Sequence, residues 1–247
     1  MSSYRNTVLV GLISLVIITA GLGARAQSSV SPGASGWTNN AGVVWNWITQ
    51  HVVQATASSA NGYVTGNTDD WMDAGSTAVI TGVANQYYVL TGWSGDTNGC
   101  IGEGSTLYAP MTQPRVLVAW FTAMLASNGV PVWWLAEHGL TNGWDAEALA
   151  DQDHDGLATW QEWRADTDPT NACSVLKFSA AQVEGGGVRV SWQGGSLATQ
   201  YLDWCEGTWS GSAWQTTFTN LPPTPTATSH VVNSAGTTGA CRVRAER

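Results

Sequence analysis

The chemistry of this chain is concentrated in an acidic segment over residues 151–162, which reads DQDHDGLATWQE. Asp151, Asp153 and Asp155 place carboxylates on alternate residues, Gly156 follows them, and Glu162 ends the segment. Short aspartate side chains with this spacing can converge on one hard cation, and a glycine at the sixth position allows the sharp turn that brings later oxygens back to it. The spacing therefore predicts a Ca²⁺ site.

Further groups complete the predicted ligand set, in the order of an EF-hand-type loop. Leu157 would contribute its backbone carbonyl, Thr159 its side-chain oxygen directly or through a water, and Glu162 both carboxylate oxygens from a helical turn. Asp168 either closes the site or caps the turn before Pro169, and the sequence leaves both roles open. Magnesium is disfavoured because it prefers water-rich octahedral sites. The full predicted set is Asp151, Asp153, Asp155, Leu157, Thr159, Glu162 and Asp168.

The alternative to a metal site is an acidic turn that is simply solvated. Four carboxylates within about 6–8 Å repel one another by roughly 0.5–2 kcal/mol per pair, so gathering them without a counter-ion would lower the stability of the fold. Half of the acidic residues of the chain lie between 137 and 168, where Arg164 is the only lysine or arginine. We therefore expect this stretch to be poorly ordered without the cation and rigid with it.

The elements that must position this site follow from changes of pattern along the chain. Residues 36–122 and 175–247 contain short runs rich in Val, Tyr, Trp and Thr, separated by Gly, Asn and Asp, which is typical of strands and turns. Residues 130–174 are helical and acidic in pattern. Helices are expected over 131–140, 145–150 and 160–165. The predicted fold is mainly β, with small β repeat modules, a short helical calcium-binding linker and a C-terminal β-sandwich.

The first β region resembles a known family. The segments DAGST (73–77), YVLTGWSGD (88–96), APM (109–111) and VAWF (118–121) resemble the bacterial internalin-type B-repeat, as a partial unit followed by a full unit over 36–122. The resemblance implies small all-β modules strung along exported surface proteins. It transfers no catalytic residue to this chain.

Two more resemblances concern the rest of the chain. The calcium loop with the TDPTN sequence after it resembles the thrombospondin type 3-like calcium motif of bacterial surface proteins, and also one half of a dockerin, which carries two such loops. Asp166 stands where the related motif usually has glycine, and aspartate tolerates the left-handed backbone that a helix end needs. The VRVSW, YLDW and CRVR runs of 175–247 resemble a fibronectin type III-like domain, a fold that carries no function by itself.

Residues 1–26 have the form of a secretory signal peptide. Arg5 precedes an apolar run at 8–20, and Ala24 and Ala26 supply small residues before a cleavage at Gln27. The product is expected to be secreted or held at the cell surface with no membrane span after cleavage. An uncleaved anchor is the alternative, but the apolar run is short for a bilayer. A formal net charge of −9 without a Lys/Arg cluster disfavours nucleic-acid partners.

The cysteines and tryptophans leave alternatives open. Export permits disulfides among the four cysteines, and Cys205 with Cys241 is the favoured pair because both lie in strand-like runs. Four buried thiols are the alternative. The 15 tryptophans either fill thin β cores or offer exposed rings to sugars. The candidate carbohydrate-binding residues, all near turns, are Trp71, Trp209 and Trp214.

The sequence gives no sign of an enzyme. It lacks the HExxH, GxSxG, phosphate-loop and dinucleotide motifs, although the paired carboxylates of a glycosidase leave no sequence signature. The predicted function is that of a calcium-stabilised stalk or adhesive spacer, with calcium and a cell-surface glycan or protein as partners. A carbohydrate-binding accessory module with exposed tryptophans is the alternative, and a glycan-degrading enzyme is a more distant one.

Overall fold

A computed structural model describes residues 28–38, 44–207, 214–233 and 238–247. The predicted signal peptide lies outside these residues. The chain divides into two compact units, Met1–Ala123 and Met124–Arg247. The fold is mainly β, as predicted, with four small sheets and a short helical segment. None of the helices in the described part of the chain has the length and apolar character needed to cross a bilayer.

The first unit contains two sheets. One has the order β1–β2–β9–β6 with β4 also paired to β2, and the other has the order β3–β5–β8–β7. The pairing of β2 with β9 is parallel, and the other described pairs are antiparallel. The strands are β1 Ser28–Thr38, β2 Val44–Ala57, β3 Gly62–Gly66, β4 Asp69–Asp73, β5 Thr77–Ala84, β6 Tyr88–Gly95, β7 Ile101–Glu103, β8 Thr106–Pro110 and β9 Arg115–Ala123.

The core of the first unit comes from the alternating pattern of its strands. In β5 and β9 every second residue is buried, which is the expected result when one face of a strand packs and the other meets water. Arg115 at the start of β9 is also buried, and its guanidinium donates hydrogen bonds to the carbonyls of Pro110, Asp96 and Asn98. The buried cluster consists of Val53, Ala55, Ala78, Ile80, Leu107, Ala109, Met111 and Leu117.

The second unit begins with a helical segment. It contains a 3₁₀ turn over Ser127–Gly129 and the helices α1 Val132–Glu137, α2 Trp144–Leu149 and α3 Thr159–Ala165. All three helices lie where the sequence pattern placed them. The Trp163 ring of α3 makes edge contacts with Trp133 and Trp134 of α1, at centroid distances of 5.9 Å and 5.3 Å. These ring contacts bury enough apolar area to hold helices that are too short to be stable alone.

Two antiparallel three-stranded sheets follow in the same unit. Their orders are β10–β11–β14 and β13–β12–β15. The strands are β10 Lys177–Glu184, β11 Gly187–Gln193, β12 Thr199–Glu206, β13 Gln215–Asn220, β14 Ala227–Val232 and β15 Gly239–Glu246. Val190 and Trp192 of one sheet pack against Leu202 of the other, which makes a β-sandwich. The sequence boundary at 174/175 therefore separates two parts of one compact unit.

The four cysteines are free thiols. Cys205 of β12 lies opposite Ala240 of β15, and Cys241 lies opposite Trp204. An offset of one residue on paired strands turns the two side chains to opposite faces of the sheet. The predicted disulfide between Cys205 and Cys241 is therefore not formed. Sequence alone gave both cysteines a strand, but it did not give the register between the strands.

An ionic cluster organises the outer face of the β13–β12–β15 sheet. The carboxylate of Asp203 is buried and accepts hydrogen bonds from Thr216 Oγ1 (2.8 Å), Arg242 Nε (2.9 Å) and Arg244 Nε (3.1 Å). Burial alone would raise the pKa of Asp203, but the three donors outweigh it and lower the pKa below the usual range of aspartate. The arginine side chains also stack on rings, with Arg244 3.9 Å from the Tyr201 centroid.

We expect Asp203→Asn to lower the stability of the second unit by about 2 kcal/mol at neutral pH, because the Arg242 guanidinium then lacks an anion and Arg244 keeps only its exposed pair with Glu246. The stabilisation by Asp203 is complete above the ordinary aspartate pKa and disappears as pH falls through the lowered pKa of the folded state. Thermal unfolding from pH 7 to 2 should therefore show the two proteins converging in acid. Glu184→Gln is the control, since its exposed pair with Arg189 should contribute little. A constant gap at every pH would contradict the assignment.

Candidate metal centre

The acidic loop connects α2 to α3 and folds around its own aspartates. Asp151 accepts hydrogen bonds from the backbone N–H groups of His154 (2.8 Å) and Gly156 (3.1 Å) through its two oxygens. Asp155 accepts one from Leu157 N (2.8 Å). Gly156 has φ +98°, a conformation that suits glycine and turns the chain back toward Asp151. These local bonds explain why the sequence forms a compact loop here.

Three carboxylates converge in this loop. One ligand atom from each of Asp151, Asp153 and Asp155 lies within 4.8 Å of the other two, and all three residues are partly buried. Asp153 Oδ2 and Asp155 Oδ2 are buried and have no hydrogen-bond partner among the described residues. Their spacing and free oxygens suit a hard cation, so this cluster can hold a metal ion.

Glu162 supplies an independent sign of a cation. It lies on α3 with no exposed surface, Oε1 accepts a hydrogen bond from Thr167 Oγ1 (3.4 Å), and Oε2 has no partner among the described residues. Burial, followed by the negative charges of Asp153 and Asp155, raises the pKa of Glu162 to about 8. The ionised form of Glu162 is therefore unfavourable unless a positive charge shares the site, and without one the carboxyl keeps its proton to about pH 8.

The other three predicted ligands, Thr159, Leu157 and Asp168, have different surroundings. Thr159 is buried at the start of α3, and its hydroxyl donates to the carbonyl of Ala150 (3.0 Å). Leu157 follows Gly156 in the loop, and its backbone N–H donates to Asp155 Oδ1. Asp168 Oδ1 accepts hydrogen bonds from Thr170 N (3.0 Å) and Oγ1 (2.7 Å), which is the turn-capping role. The negative charge of Asp168 also contributes to the raised pKa of Glu162.

The C-terminal end of α3 is bonded to the sandwich. Asp166 adopts the left-handed conformation (φ +56°) expected at this helix end. Its Oδ2 accepts a hydrogen bond from Leu197 N (2.7 Å), and its Oδ1 forms an ion pair with Arg247 (3.0 Å). The Arg247 guanidinium lies 4.1 Å from the Trp163 ring centroid, and Gly195 N donates to Ala165 O (3.1 Å). The helix that carries Glu162 therefore touches the sandwich directly.

Sequence reasoning missed the groups that support the loop. Glu147 of α2 is buried and accepts hydrogen bonds from Gln152 Nε2 and Asn142 N, which fixes the start of the loop. The Asp166 contacts with Leu197 and Arg247 join residues that are far apart in the chain. No local pattern points to such contacts, because a partner at long sequence separation is set by the fold. The position of Glu147 just before the loop was the one available signal.

The candidate carbohydrate-binding tryptophans have separate environments. Trp71 on β4 is 43% exposed, between the exposed residues Asp69 and Asp73 of the same strand face. Trp214 is partly buried under the Arg242 guanidinium, 4.5 Å from its ring centroid. Trp209 lies outside the described residues. Trp71 belongs to the first unit and Trp214 to the second.

Because the pKa of Glu162 is raised, the free energy of unfolding should depend on pH, and a bound metal ion should abolish this dependence. In chelator, the unfolded state releases this proton near the ordinary glutamate pKa, whereas the folded state holds it to about pH 8. The free energy of unfolding should therefore fall as pH rises from about 5 to 8. Glu162→Gln should flatten this profile and be more stable than the parent chain in chelator at pH 8, yet bind Ca²⁺ at least tenfold more weakly. A parent profile that stays flat in chelator would contradict this account.

No protein-family model, curated protein or solved structure matches this chain. The internalin-type, thrombospondin type 3-like and fibronectin type III-like resemblances therefore stay predictions from the motifs.

Proposed function

We propose that the chain binds Ca²⁺ in the 151–162 loop and that the ion stabilises the second unit, as part of a secreted or cell-surface spacer. The observation that carries this proposal is Glu162, a carboxylate with no exposed surface and one unpaired oxygen beside Asp153 and Asp155. No described basic side chain is among the groups that act on its pKa, so its ionised form has no counter-charge. A bound divalent cation would supply one.

The ligand chemistry favours calcium over other ions. The cluster offers oxygen atoms only, which suits hard cations and disfavours zinc and copper. The carboxylates lie on a turn whose backbone N–H groups donate to Asp151 and Asp155, so the turn itself positions the ligands. Calcium accepts six to eight oxygens in variable geometry, whereas magnesium needs a near-ideal octahedron and retains water.

The contacts of α3 explain how an ion in the loop can support the sandwich. Glu162 is one turn from Asp166, which bonds Leu197 and Arg247 of the sandwich. Without a cation, Glu162 keeps its proton up to about pH 8 and cannot act as an ionised ligand of the loop. With a cation, the loop, α3 and the sandwich become one cooperative structure, and the binding free energy adds to folding. A spacer outside the cell gains rigidity from this arrangement, because calcium is abundant there.

Titration calorimetry on the full chain tests the proposal. We expect CaCl₂ to bind and MgCl₂ to bind at least tenfold more weakly. Calcium at about 100 times its Kd should stabilise the second unit by about 2.7 kcal/mol, which raises its thermal midpoint by roughly 10 °C relative to chelator. Asp151→Ala and the milder Asp153→Asn should lose this shift.

The control for these variants is Glu137→Gln, which removes an exposed acid on α1 of the same unit. It should leave both the calorimetric titration and the thermal shift unchanged. An equal midpoint with calcium and with chelator would refute the proposed function, and so would an equal loss of binding in Glu137→Gln.

A carbohydrate-binding role is the second candidate function, and the exposed indole ring of Trp120 favours it. Trp120 on β9 is 51% exposed, and its Nε1 donates to Ser94 Oγ (2.7 Å), so the indole is fixed opposite Gly92 of β6. Its polar edge is satisfied and its exposed surface is apolar, as stacking on a sugar requires. Trp71 is exposed on the same outer face of this sheet, since it lies opposite Val52 and next to the outward Gln50 and Gln54.

Fluorescence titration with soluble polysaccharides separates this candidate from a pure spacer. A glycan that binds here should shift the emission of the parent chain, and Trp120→Ala should abolish the shift. Trp133→Phe in the second unit is the control, and it should keep the response. If no glycan changes the emission at millimolar sugar, the exposed ring has no such role.

A further inference from the structure

The sandwich of the second unit is open along one side. All eight residues of β10 are exposed, although this strand has a face that points inward. Phe178 and Val183 lie opposite the core residues Trp192 and Val188 of β11, which puts them on the inward face. They are nevertheless 44% and 88% exposed. Among the described residues, no layer therefore covers the inward face of β10 as a sandwich normally would.

A groove occupies the place of the missing layer. It has a volume of about 450 Å³, within the range of ligand-binding clefts. It exists because β15 opposes β10 with small inward residues, Gly239 and Cys241, that do not reach across. The apolar side chains that line it are Phe178, Ala181, Val188, Val190, Trp204 and Cys241.

The edge of β15 next to this groove is unpaired in part. The strand pairs with β12 on one side, and the described residues supply no backbone partner to its other side. Helix α3 approaches its C-terminal half, where Trp160 and Ala165 line a cavity together with Val243 and Ala245. The N-terminal half, beside the groove, has no such neighbour among the described residues. An open strand edge of this kind accepts an additional strand.

The outward side chains of β15 define the charge of that strand. Arg242 donates from Nε to Asp203 and stacks on Trp214. Its two terminal amino groups make no hydrogen bond among the described residues, and 47% of the side chain is exposed. Side chains of an added strand that point outward would lie beside Arg242, at a strand spacing of about 4.8 Å. An acidic side chain there gains a charge-assisted hydrogen bond, and a basic one is repelled.

We propose that the groove between β10 and β15 binds an extended peptide that adds to the edge of β15. Apolar side chains of the peptide face Phe178, Trp204 and Cys241, and they alternate with acidic side chains beside Arg242. Backbone hydrogen bonds to β15 supply affinity, and the alternation of apolar and acidic residues supplies specificity. This role goes beyond calcium binding and gives the spacer a means of attachment to a partner protein.

The test uses the ¹⁵N-labelled full chain in calcium and a capped ten-residue peptide of alternating Val and Glu. The peptide should shift the amide signals of 239–242 and of β10, and it should protect Cys241 from a thiol reagent. Two control peptides should bind at least tenfold more weakly: alternating Val and Lys, which reverses the charge, and five Val followed by five Glu, which loses the alternation.

Variants locate the site. Arg242→Gln should lower the affinity for the Val–Glu peptide by about three- to tenfold. Arg189→Gln, on the outer face of the other sheet, should leave this affinity unchanged. Ala181→Phe fills the groove from an exposed position that tolerates a large side chain, and it should abolish binding while the thermal midpoint is preserved. Equal binding of the five-Val, five-Glu peptide would overturn the proposal. The proposal would also be overturned if the peptide shifted only the amide signals of other strands, or if the chain associated with itself through β15 without peptide.

Discussion

The concentration of carboxylates in the 151–162 loop and at the start of α3 is the constraint that shapes this end of the second unit. Asp151, Asp153 and Asp155 are gathered by a loop whose own hydrogen bonds hold them together, and Glu162 is buried on α3, near enough for Asp153 and Asp155 to raise its pKa. Carboxylates at such distances in a partly buried site repel strongly. This charge is relieved either by protonation of Glu162, whose pKa is raised to about 8, or by a cation, which the three aspartates can hold.

Helix α3 transmits this constraint because it has two attachments and little stability of its own. It is seven residues long, too short to persist without tertiary contacts. The loop holds its start, where Gln161 Oε1 accepts a hydrogen bond from Ala158 N, and the sandwich holds its end through Asp166. Disturbing one attachment therefore weakens the other. This coupling follows from hydrogen bonds within the second unit, and it requires no conformational change in the elements around α3.

Features formed by neighbouring residues could be predicted from the sequence, whereas features that depend on the register between strands could not. The calcium-loop spacing lies within twelve consecutive residues, so chain geometry alone brings the three aspartates together. The helices and most strands follow from periodicity in the same way. The Cys205–Cys241 disulfide failed because it required the alignment of β12 with β15, which an offset of one residue reverses. The Asp203 cluster and the Asp166 contacts were equally hidden, since their partners come from distant strands.

The sandwich has a small apolar core, which explains why it needs ion pairs and other polar contacts for stability. Its buried cluster contains only Val190, Trp192, Leu202 and Val232 among the described residues, and β10 adds no buried side chain. Small domains with little buried apolar area depend on metals, ion pairs or partners for stability. Here Asp203 with its arginines stabilises one outer face, and the 151–162 loop is joined to one end through α3. The open side along β10 has no comparable support among the described residues, which makes it the surface where a partner strand would add most to the stability of the fold.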